Sequence, residues 1–94
     1  MSLEQEAERG RLAQEVLDNP VYADGFQLIE QGLTQAWRES RDRAEREELH
    51  QLLKALDKVQ TLLASTMRSG RIAADELVKR ATLAQRIGHR LTQR

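Results

Sequence analysis

Apolar residues recur along this chain with the spacing of helices. The densest run is LHQLLKALDKVQTLLASTM, residues 49–67. Leu49, Leu52, Leu56, Val59, Leu63 and Thr66 follow one another at intervals of 3, 4, 3, 4 and 3, the rhythm of a helix that buries one seam. Leu53, Leu62 and Met67 flank that seam and broaden it beyond what a two-stranded zipper needs. A leucine contributes roughly 1.5–3 kcal/mol when fully buried, so this stripe predicts cover by at least one other helix. Upstream, Tyr22, Phe26, Ile29, Leu33 and Ala36 recur at 4, 3, 4 and 3, with Val21 and Trp37 widening the seam. This predicts a second helix over 20–39. Asn19 suits its N-cap, and Pro20 suits the first helical position, where a missing N–H leaves nothing unpaired. Residues 4–18 predict a weaker first helix, its stripe of Leu12, Val16 and Leu17 diluted by charge and by Gly10.

The segment RESRDRAEREE between the two strong seams has neither glycine nor proline, so it permits an unbroken helix. The seam does not pass through it, however. Carried on from Ala36, the first repeat meets Ser40, Arg43, Glu47 and His50, all polar, and the second repeat starts out of phase. A turn at Ser40-Arg41-Asp42, with Ser40 or Asp42 capping the next helix, accounts for both facts. The alternative is one rod of about 50 residues, about 75 Å long, which would have to oligomerise to hide its leucines. Gly70 fits the left-handed residue after a helix C-terminus, and Arg68 suits the negative end of the helix dipole. The third helix is therefore expected over 43–69. A fourth, basic helix is expected over 73–94, carrying Leu77, Ala81, Ala84, Ile87 and Leu91 on one face. That face packs weakly and would order against a partner. Gly25 and Gly32 mark either a close approach of another backbone or tolerated flexibility. No internal repeat or low-complexity tract stands out. The expected fold is all-α, a single small domain spanning 1–94. An antiparallel helical hairpin carries flanking N- and C-terminal helices, and oligomerisation completes a bundle.

Composition sharpens this picture. The chain has 94 residues, 39% hydrophobic and 32% charged, with aromatics at 3%; so short and polar a chain builds a small core and gains from partner subunits. Formal net charge is zero but uneven. Residues 1–30 hold seven acids against two bases, and residues 68–94 hold seven bases against two acids. This polarity suits pairing of the ends within or between molecules, contact of a basic tail with an acidic partner, or plain solvation.

Candidate chemistry is sparse. The absence of cysteine excludes a disulfide framework, a thiol nucleophile and a thiolate metal site, and suits a reducing cytoplasm. No apolar run approaches the ~20 residues that span a bilayer, and the acidic N-terminus is unlike a signal peptide. Glu47 and His50 form one Glu-x-x-His pair, a spacing that di-iron bundles use twice with two further glutamates. Here the pair falls off the leucine seam and is expected to face water. No serine, histidine and carboxylate spacing suggests a triad, and no glycine loop could cradle phosphate. These readings exclude catalytic, cofactor-binding and metal residues and point to a protein that is no enzyme. Lys79, Arg80, Arg86, Arg90 and Arg94 lie on the basic segment without aromatics. They are the candidates for contact with nucleic acid or an acidic partner. No turn between two short helices presents a recognition helix.

Residues 17–77 carry a further pattern: LDNPVYADGFQLIEQGLTQAWRES, a charged turn, then EELHQLLKALDKVQTLLASTMRSGRIAADEL. This resembles small uncharacterised helical proteins of tailed phages and prophages. The shared marks are the Asn19-Pro20 helix start, Trp37 near the end of that helix, and Gly70 with Ala73 after the leucine helix. The resemblance implies a place among phage head genes, within the host-cell cytoplasm, and no residue-level role. The expected function is a self-associating protein-interaction module, a dimer by preference, with a phage structural protein as a further partner. Its packing residues would be Tyr22, Phe26, Ile29, Leu33, Trp37, Leu49, Leu52, Leu56, Val59 and Leu63. The alternative is a DNA-binding accessory protein using the basic C-terminal helix.

Overall fold

The computed structural model describes residues 1–92 and is helical nearly throughout. Helix α1 spans Leu3–Asp18, α2 Pro20–Glu39 and α3 Arg43–Thr92. Each start has a local cause. Ser2 Oγ accepts from Gln5 N while Gln5 Oε1 accepts from Ser2 N, a reciprocal cap for two otherwise orphan donors. Asn19 Oδ1 accepts from Val21 N at 2.9 Å and Tyr22 N at 3.2 Å. Asn19 is extended, and Pro20 follows as the first helical residue. Asp42 Oδ1 accepts from Ala44 N, and Asp42 O from Arg46 N.

The chain leaves helical geometry between Glu39 and Arg43. Arg46 clamps that turn. Its Nη1 donates to Trp37 O at 2.6 Å and to Ser40 O at 3.1 Å, and its guanidinium lies 4.2 Å from the centroid of the Trp37 ring. Carbonyls at the end of α2 thus find a charged donor in place of a helical one. Beyond the turn, touching residues run in opposite order along the two arms. Trp37 meets Arg46, Tyr22 Oη donates to Gln60 Oε1 at 3.3 Å, and Gly10 meets Gly70.

One expectation about glycine is corrected and one open alternative is decided. Gly70 does not end a helix: α3 runs through it as a single element, and no described glycine has positive φ. Residues 73–92 are therefore the distal part of α3, whereas Gln93 and Arg94 lie outside the described residues. Nor do Gly25 and Gly32 meet another backbone, since nothing stands within 4 Å of a Cβ built at either. The close approach is at Gly10 and Gly70. A Cβ on Gly10 would stand 2.5 Å from Gly70 Cα, and one on Gly70 2.5 Å from Gly10 Cα. Helix α1, expected to be weak, thus makes the tightest crossing, and Gly10 permits it by lacking a side chain.

Helix α3, about 75 Å long at 1.5 Å per residue, sets the shape. The molecule measures 80 × 23 × 16 Å with a radius of gyration of 21.6 Å, where a compact chain of this length would have about 12 Å. It is one layer of two helices side by side. A single layer has no interior: among the described residues the buried hydrophobic ones are Ala13 and Ala73, and no large side chain is fully buried.

Candidate self-association surface

The α1–α3 crossing rests on small residues from both helices. Gly10, Ala13, Gly70 and Ala73 are the buried positions of the two elements. They occur as Gly10-Arg11-Leu12-Ala13 and Gly70-Arg71-Ile72-Ala73. Each tetrapeptide presents a glycine and an alanine three apart on one face, and the two faces meet. This short internal repeat is the signal that would have located the crossing. It corrects the expectation that the chain holds no repeat. The carbonyl oxygens of Glu6 and Thr66 stand 3.0 and 3.1 Å from where the missing Cβ atoms of Gly70 and Gly10 would lie, so backbone fills the space a side chain would take.

Along α2 the contact is between large residues. Tyr22, Phe26, Leu33 and Trp37 are half-buried, as are Leu49, Leu56 and Leu63 of α3. Tyr22 and Phe26 stack obliquely at 6.0 Å. Ile29, Leu52 and Val59 are corrected: expected on the seam, they are 56%, 53% and 49% exposed. The half-buried row on α3 is instead Leu49, Leu53, Leu56, Gln60, Leu63 and Met67. It has the same 3–4 period with a shifted phase. Leucines populate both rows, so periodicity alone does not select one; the path of α2 and α1 across α3 does.

The displaced row forms an apolar face with no partner among the described residues. Leu52, Val59 and Leu62 share one side of α3 at intervals of seven and three. Leu62 and Thr66 then border an open groove of about 360 Å³ whose other wall is Arg9, Leu12, Ala13 and Val16 of α1. Leu12 and Val16, read from sequence as the buried stripe of α1, are rim residues of this groove and exposed.

Opposite Gly70, α1 has only about two further turns before it begins at Leu3. The distal part of α3 therefore projects beyond it. Leu77 is half-buried, and every residue from 78 to 92 is exposed, an overhang of about 22 Å. It carries Val78, Leu83, Ile87 and Leu91, together with Lys79, Arg80, Arg86 and Arg90, and no acid. Arg94, the fifth candidate basic contact, lies outside the described residues. Arg80 pairs with Glu76 at 3.3 Å on the open surface. On α1, Arg11 bridges Glu8 and Glu15. Its hydrogen bond to Glu8 holds that carboxyl below the usual glutamate range, and the same contacts raise the guanidinium above its ordinary value.

Glu47 and His50 are both exposed, and no cluster of three metal-ligating side chains occurs among the described residues. Nor, among those residues, is any helix long and apolar enough to cross a membrane. Comparison with protein families, curated proteins and solved structures finds no match for the chain.

Proposed function

We propose that this chain is a non-enzymatic helical module whose function is association with copies of itself, an antiparallel hairpin of α1–α2 against α3 that becomes a bundle on oligomerisation, with a dimer favoured. The observation that carries this reading is the surface. The accessible area is 7662 Å², whereas a folded monomer of this mass exposes about 5,500 Å². The excess of about 2,000 Å² per chain, or about 4,000 Å² for a pair, falls within the range that obligate homodimer interfaces bury. Exposed leucine, isoleucine and valine side chains supply the apolar part of it. The likeness of residues 17–77 to small tailed-phage proteins supports a place in particle assembly, in the host-cell cytoplasm and alongside a phage structural protein.

Light scattering coupled to size exclusion tests the reading: it expects at least a dimer at micromolar concentration. A strict monomer that melts cooperatively would remove it. A second reading is favoured by the overhang, whose Lys79, Arg80, Arg86 and Arg90 are all exposed. Such a helix could meet the phosphates of duplex DNA and serve a DNA-binding accessory protein. Affinity for duplex DNA measured against salt decides it, and no binding at low salt would exclude it.

A further inference from the structure

Two apolar features lack partners, the α1–α3 groove and the overhang, and one chain cannot join them. Leu62 on the groove and Ile87 on the overhang sit on the same uninterrupted helix, about 37 Å apart by helical rise. No bend brings them together. The features are nonetheless complementary. Leu83, Ile87 and Leu91 follow at i, i+4 and i+8, a ridge of apolar side chains on one face of the overhang. The groove offers Leu12, Val16 and Leu62 along its rim. Charge agrees at the level of whole helices. Arg9 lines the groove and Arg11 pairs with Glu8 and Glu15, but Glu4, Glu6 and Asp18 leave α1 acidic, while the overhang is wholly basic. Lys79, Arg86 and Arg90 share a face at i, i+7 and i+11, next to Leu83, and so flank the ridge.

From this we infer that the occupant of the groove is the α3 overhang of a second copy, given and received reciprocally so that a two-fold dimer closes. The inference rests on the self-association reading and specifies its geometry. Residues 78–92 of one chain lie antiparallel along α3 of the other and form a third helix beside its α1. Both chains then gain cover for Leu12, Val16, Leu62, Leu83, Ile87 and Leu91. The acidic first helix of each receives the basic end of its partner. The exchange is isologous, with the same patches used on both sides, and therefore stops at two.

The test uses the full chain. Ile87→Glu with Leu91→Glu alters only exposed positions, so helix content by circular dichroism should hold while the dimer weakens. Reciprocity removes four aliphatic contacts per dimer, two from each chain, which predicts a rise in dimer Kd of at least about 100-fold. A second measurement needs no change of affinity. The chain has no cysteine, so the double variant Leu62→Cys/Ile87→Cys introduces the sole thiols. These cannot bond within one chain, because a disulfide needs Cα atoms within about 7 Å. Oxidation of dilute protein should yield covalent dimers and no larger species. A ladder of covalent multimers would overturn the reciprocal exchange in favour of a head-to-tail contact. A dimer unaffected by Ile87→Glu/Leu91→Glu would overturn the inference and leave self-association standing. A wild-type chain that is monomeric throughout would overturn both.

Discussion

A methyl group added at Gly10 would stand 2.5 Å from Gly70 Cα, a separation neither backbone can absorb while the helices keep their crossing. Gly10→Ala is therefore expected to destabilise the chain by about 1–3 kcal/mol, the range for forcing volume into a filled contact. This opposes the usual gain from replacing a helical glycine. Gly32→Ala should show that usual gain, about 0.5–1 kcal/mol, since open space surrounds Gly32. Thermal unfolding of the two variants side by side checks the difference in sign. Acid should act at Glu8. Its hydrogen bond from Arg11 lowers its folded pKa. The stability linked to it is present above the unfolded glutamate value and is lost as pH falls through the folded one. A carbon-13 titration of the Glu8 carboxyl should give a midpoint below the ordinary range, moving up in Arg11→Gln.

Each helix owes its limits to a few side chains. Asn19 holds two amides at the start of α2, so Asn19→Ala should cost about 1 kcal/mol and loosen the joint between α1 and α2. Arg46 both covers Trp37 and caps the end of α2. Arg46→Met keeps much of the apolar stem but removes both roles. A loss of about 1–2 kcal/mol is expected, together with a change in Trp37 fluorescence. The existence and type of α1 and α2 were legible from spacing and caps, because an N-cap and a proline act within one turn. The identity of the buried row on α3 was not. Leu52 and Leu53 are adjacent, as are Leu62 and Leu63, so the same segment offers two seams of equal period.

A layer two helices wide leaves the whole molecule dependent on what covers it. With no large side chain fully buried among the described residues, stability should follow mass action. The melting temperature is expected to rise with protein concentration, by several degrees over a hundredfold range, as partner binding stabilises only the folded chain. Differential scanning at a series of concentrations checks this. An invariant midpoint would mean that a single chain is stable on two-helix packing alone.

Helical class and the cap at Asn19 follow from residue types and near-neighbour spacing, since hydrogen bonds and side-chain periodicity act over one or two turns. The division of charge between the ends was equally plain in the order of residues. Gly70 was ambiguous there, because glycine serves a left-handed helix end and a close helix crossing equally well. The choice needed Gly10, sixty positions away in sequence, brought opposite by the turn at Ser40–Asp42. The same long-range placement turned Leu12, Val16 and Leu62 outward and left the end of α3 without a neighbour. Which apolar residues are spare depends on where another helix lies, and that is a property of the folded chain.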